Sequence, residues 1–129
     1  MSVLDDVKES LEKLYFEYKV DEDGDIYVTS GLEMPFWISV TSDEKYVRIF
    51  TYVVVSEDAA EDGLNQLSND INATYMPNSV YHKDRRLWSS YYLPVIEGFQ
   101  ERTFVEVIRK CISGFTSGVR TLDENDLIS

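Results

Sequence analysis

The chain predicts an α+β fold, a twisted antiparallel β-sheet flanked by helices in the order α-β-β-β-β-α-β-β-α. Three observations lead there. Apolar residues recur at helical spacing in three separate windows. Four runs of β-type sequence lie between the first and second windows, and two more lie between the second and third. Strands grouped in this way, instead of alternating singly with helices, favour antiparallel pairing over parallel crossovers.

Residues 2–14 open the chain as a helix. Val3, Val7, Leu11 and Leu14 share a stripe that Leu4 widens, and Ser2 with Asp5 makes a variant capping box. Asp5 and Asp6 suit the positive end of the helix dipole. Phe16, Tyr18 and Val20 then alternate with charged residues, and Ile26 and Val28 alternate with Tyr27 and Thr29. A two-residue Asp23-Gly24 turn would pair Val20 with Tyr27 and mix the faces. A three-residue loop with Gly24 in the left-handed conformation pairs Val20 with Ile26 and Tyr18 with Val28, which keeps one face apolar.

Residues 36–41 form a third strand, beginning after Pro35. Residues 46–55 form a long fourth strand with apolar side chains on both faces: Val47, Ile49, Val53 and Val55 against Phe50, Tyr52 and Val54. Such a strand is expected to be covered on both sides. Ser56, followed by Glu57 and Asp58, is expected to cap the middle helix, whose stripe is Ala60, Leu64, Leu67 and Ile71. Residues 80–83 and 86–93 make a hairpin about Asp84 and Arg85. Thr103 and Glu106 form a capping box for the last helix, with Phe104, Ile108, Cys111, Phe115 and Val119 in its stripe. Residues 1–120 are read as one domain and 121–129 as a mobile acidic tail.

Composition limits the function. A chain of 129 residues buries roughly two-thirds of its unfolded surface and needs no metal or disulfide to hold a core. Lys and Arg number 12 against 24 Asp and Glu, a net charge of −12. Phosphate backbones and anionic lipids repel such a chain, so neither nucleic acid nor membrane is expected as a partner. No run approaches the ~18 apolar residues of a membrane helix. The acidic N-terminus lacks the basic and apolar regions of a signal peptide, so a cytoplasmic location is expected.

Candidate chemistry is sparse. The run Asp21-Glu22-Asp23-Gly24-Asp25 resembles the start of a calcium loop, but the sixth position is Ile26 and the twelfth Leu32, where glycine and glutamate are required. A turn is the better reading. Cys111, the single cysteine, falls on an apolar stripe and reads as core. His82, the single histidine, falls in a basic hairpin tip without a nucleophile or an orienting carboxylate in view. No phosphate loop and no assembled catalytic set can be found. The expectation is no enzyme, no cofactor and no metal.

Two surfaces carry more. If Val20, Ile26 and Val28 face the helices, Tyr27 points the other way, and alternation lets Trp37, Phe50, Tyr52, Val54, Trp88 and Tyr92 join it. A patch of that kind marks a dimer or client surface. The competing reading is that the middle helix covers it. The second surface is the amide row Asn65, Asn69 and Asn72 on one face of the middle helix, either solvated or bonded to a neighbouring strand or a partner chain.

Several stretches resemble the YbjN-type family, described as bacterial sensory transduction regulators. They are Asp21-Glu22-Asp23-Gly24-Asp25-Ile26, Phe36-Trp37-Ile38-Ser39-Val40, Tyr46-Val47-Arg48-Ile49, Asn69-Asp70-Ile71-Asn72 and residues 87–93, within a likeness spanning residues 4–115. The resemblance implies a fold like that of type III secretion chaperones and a dimeric, protein-binding role. The resulting expectation has the first and last helices on one sheet face, while the middle helix and fourth strand help form a homodimer interface. The partners would be a second copy and another protein, in regulation or chaperoning. A dedicated secretion chaperone and a small-molecule-binding enzyme with a deep polar pocket are the alternatives.

Overall fold

The computed structural model describes residues 2–75, 77–123 and 126–128. Its elements run α1 (Val3–Lys13), β1 (Glu17–Val20), β2 (Ile26–Ser30), β3 (Phe36–Val40), β4 (Tyr46–Val54), α2 (Glu61–Thr74), β5 (Ser79–Lys83), β6 (Arg86–Pro94) and α3 (Glu101–Leu122). The six strands form one antiparallel sheet in the order β1-β2-β3-β4-β6-β5. The predicted class and element order are those observed.

Local chemistry explains the register. Gly24 sits at φ +83°, and Asp21 Oδ1 accepts the N–H groups of Asp23 and Asp25. This fixes the three-residue loop, and Tyr18 faces Val28 while Val20 faces Ile26. The β5–β6 turn holds Asp84 and Arg85 at φ +53° and +60°, consistent with a two-residue turn of the hairpin type. Ser2 caps α1, its Oγ accepting from the Asp5 N–H at 3.1 Å.

The middle helix begins later than Ser56 suggests. Its N-cap is Ala60, and Glu61 and Asp62 supply the acids of its first turn. Ser56 is otherwise engaged. Its Oγ, the atom that would cap, donates to the Asp126 carbonyl at 3.2 Å, and its N–H donates to the Leu127 carbonyl at 2.7 Å. Where the sequence suggests a tail beyond residue 120, α3 continues through Leu122. Asp123 then accepts the N–H groups of Leu127 and Ile128, and Ile128 bridges to Val55.

All three helices pack on one face of the sheet. Val7 and Leu11 of α1 and Phe104, Ile108, Cys111 and Ile112 of α3 close over Ile26, Val28, Phe36, Ile38, Val47 and Ile49. Leu64, Leu67 and Ile71 of α2 meet Val55, Val80, Leu87 and Phe115 in a second cluster. Each such side chain contributes roughly 1.5–3 kcal/mol by leaving water. The apolar stripe of α2 is thus taken up by β5, β6 and α3 of its own chain. Among the described residues no helix lies on the second face of β4.

Candidate functional site: an uncovered aromatic sheet face

Strand alternation decides which side chains face away from the helices. In β2, Ile26 and Val28 are buried and Tyr27 is half-buried, and in β3 Phe36 and Ile38 are buried while Trp37 is half-buried. Cross-strand partners share a face. The pairs Tyr27–Trp37, Trp37–Phe50 and Tyr52–Trp88 therefore place five rings together, and Arg48–Tyr92 extends the row. Val54, opposite Arg86, lies at the far end of the same face.

The rings touch. Tyr27 and Trp37 stack with centroids 4.6 Å apart, Trp37 lies 6.0 Å from Phe50 and 5.5 Å from Tyr52, and Tyr52 lies 4.9 Å from Trp88. Mutual contact explains why most are half-buried without any helix above them. Val54 and Tyr92 are each 53% exposed, which makes them the open ends of the patch. All seven apolar residues singled out from the sequence thus share one surface.

Two cations border the rings. The Arg48 guanidinium carbon lies 4.2 Å from the Phe50 ring centroid and 5.7 Å from that of Tyr92, and Arg48 Nε donates to Ser90 Oγ at 3.1 Å. Arg86 lies 4.5 Å from the Tyr52 ring centroid. Strands β2 to β6 hold no Asp or Glu at all, in a chain with 24 of them. Sequence reasoning placed Arg86 only in a basic hairpin tip and missed Arg48. The signal was available, since Arg48 has the parity of Phe50 and Tyr52 on the same strand.

The amide row divides. Asn72 is committed within the chain: its Oδ1 accepts the Val80 N–H at 2.7 Å and its Nδ2 donates to the Val80 carbonyl at 2.9 Å. These bonds mimic one residue of an additional strand and blunt the β5 edge. Asn65 and Asn69 are exposed and lie on the helix layer, away from the aromatic face.

The remaining candidates settle into structural roles. Cys111 is 2% exposed, and burial pushes its thiol up to about 12. His82 belongs to β5 and is half-buried, with Nε2 3.8 Å from Glu61 at the start of α2, so it is not a solvated tip. The Asp21, Asp23 and Asp25 carboxylates converge within 4.8 Å, but Asp21 Oδ1 is already occupied by two backbone amides. A groove of about 650 Å³ runs along the start of α3 among paired charges, with Lys13 3.4 Å from Glu101 and Lys110 3.2 Å from Glu106. No helix among the described residues is long and apolar enough to cross a membrane.

An antiparallel sheet with all helices on one side and rings on the other is an α+β module of the secretion-chaperone type. The chain belongs to the family described as T3SS (YopN, CesT) and YbjN peptide-binding chaperone 1, which matches residues 3–124. The crystal structure of YbjN from E. coli, a suggested transcription regulator, has the same fold, with a TM-score of 0.78 and 16% identity over 98% of this chain and 94% of that one. No curated protein sequence matches.

Proposed function

We propose that this protein is a non-catalytic binding module that holds a segment of another protein against its aromatic sheet face, in regulation or chaperoning. The observation that carries the reading is the continuous row Tyr27, Trp37, Phe50, Tyr52 and Trp88, which no helix among the described residues covers. Membership of a peptide-binding chaperone family supports the same conclusion. Buried aromatic anchors dominate the energetics of polypeptide contacts, and a flat sheet face accepts an extended segment without prior opening of a cavity. The acidity of the chain supports a protein client over nucleic acid, and a cytoplasmic site of action is part of the proposal.

A homodimer through this face is the second reading, favoured by the same exposed rings. It would bring the cations of two identical faces together without any carboxylate between them, which costs desolvation energy and recovers little. The client reading is therefore preferred. Affinity capture from the native host, run in parallel with wild type and with the double variant Phe50→Ala/Tyr52→Ala, tests it. The same protein should be retained by the wild type and lost by the variant, and equal retention would sink the proposal. Light scattering at micromolar concentration tests the dimer separately: a strict monomer that still captures its client removes only the second reading.

A further inference from the structure

The aromatic face does more than exclude water, because its cations are arranged for an acceptor the chain does not provide. Arg48 is held by Ser90 through Nε, and its guanidinium carbon lies over the rings of Phe50 and Tyr92. Its two terminal nitrogens have no acceptor among the described residues, and no carboxylate there lies within ion-pair distance of Arg48 or Arg86. Beside Arg48 a concavity of about 240 Å³ opens, lined by Arg48, Ser79, Tyr81, Ser90, Tyr91 and Tyr92. A guanidinium with its terminal nitrogens unengaged and hydroxyl groups around it can bind a planar oxyanion in bidentate fashion.

Resting on the polypeptide-binding reading above, we propose that the face selects an acidic and apolar segment of another protein, with a Glu or Asp side chain seated at Arg48 and neighbouring apolar side chains along the rings. Charge complementarity commits the occupant. Strands β2 to β6 carry Arg48, Lys83 and Arg86 and no acid, whereas the chain as a whole is at −12. A second copy meeting the face about a two-fold axis would offer Arg48 no carboxylate. A basic segment, drawn to the acidic body of the protein, would meet repulsion here. Arg86 stands opposite Val54, six positions along β4 from Arg48. Their guanidinium groups stand over Phe50 and Tyr52, rings two residues apart on β4, so two acidic side chains about 13 Å apart, four extended residues, would reach both cations.

The test uses synthetic peptides of about fourteen residues, acetylated and amidated, with alternating leucines and two variable positions four apart. The variable positions carry Glu, Gln or Lys. Binding is read from tryptophan emission, since both tryptophans of the chain, Trp37 and Trp88, lie on this face. The Glu peptide should bind at least about tenfold more tightly than the Gln peptide, with the Lys peptide weakest. That advantage should shrink between about 50 and about 500 mM NaCl. In Arg48→Gln the Glu-to-Gln ratio should fall toward unity while the Gln peptide keeps its affinity, which also shows that the variant is folded. Arg86→Gln should reduce the ratio less.

Equal wild-type affinities for the Glu and Gln peptides overturn the charge selection and leave the polypeptide-binding reading intact. A Gln peptide that regains full affinity from a free C-terminal carboxylate overturns the side-chain assignment. A single-stranded oligonucleotide binding more tightly than the Glu peptide overturns the choice of a protein segment. If none of the peptides binds, and the Phe50→Ala/Tyr52→Ala variant captures the same host proteins as wild type, both proposals fail together.

Discussion

Asn72→Ala should destabilise the protein more than any other change in the amide row. The side chain closes two hydrogen bonds on Val80, at 2.7 and 2.9 Å, and removing it leaves one backbone N–H and one carbonyl of the edge strand without partners. Each bond has a net worth of about 1 kcal/mol, and a donor left dry costs about 1–3 kcal/mol. Val80 is only 4% exposed, whereas Asn72 lies at the surface, so water reaches the site in part. The expected loss is about 2 kcal/mol, a fall in Tm of roughly 4–10 °C for a domain of this size. Urea denaturation followed by circular dichroism gives the loss, and native-state hydrogen exchange locates it at the Val80 amide. Asn69→Ala, on the exposed side of α2, should stay within about 0.5 kcal/mol of wild type. Indistinguishable midpoints for the two variants, with Val80 protection unchanged, would refute the strand-mimic reasoning.

Other consequences follow from packing and ionisation. At Gly118 an added Cβ would stand 3.0 Å from Ile71 and 3.3 Å from Tyr75, so Gly118→Val should cost about 1–3 kcal/mol in urea denaturation despite any gain in helix propensity. Buried Cys111 should resist iodoacetamide at pH 8 in the native protein and react once urea unfolds it; rapid native labelling would contradict its burial. Its thiol rises from an ordinary 9.0 to about 12 on folding, so the stability it contributes is present below pH 9 and lost as pH climbs to about 12. Replacing it with alanine should flatten that part of the stability–pH curve. Phe50→Ala/Tyr52→Ala should leave the far-ultraviolet dichroism of wild type unchanged, since both rings lie outside the helix-covered core.

Much of this architecture is legible in the residues because each element repeats one consistent signal. The β1–β2 register follows from Gly24 and the alternation around it, and the outward parity of Tyr27, Trp37, Phe50, Tyr52, Val54, Trp88 and Tyr92 follows from strand geometry alone. What sequence does not show is which neighbours a helix finds. The leucine stripe of α2 is equally compatible with its own β5–β6 hairpin or with a second chain, and only the tertiary path decides for the former. Ser56 is a good cap residue whose hydroxyl is engaged instead by the Asp126 carbonyl, 70 positions away in sequence. The concavity at Arg48 is assembled from three strands, β4, β5 and β6, so no single stretch announces it.

The central claim is that polypeptide binds on the bare aromatic side of the sheet. Trp37 and Trp88 supply the only two indole N–H groups of the chain, and they stand on the β3 and β6 strands of that side. A nitrogen–proton correlation spectrum, recorded while the captured client segment is titrated into labelled protein, reads both directly. The account predicts that the two indole resonances shift together and saturate with the binding curve, while the exposed amides of α2 stay in place. Saturating binding that moves the α2 amides and leaves both indoles still would contradict it.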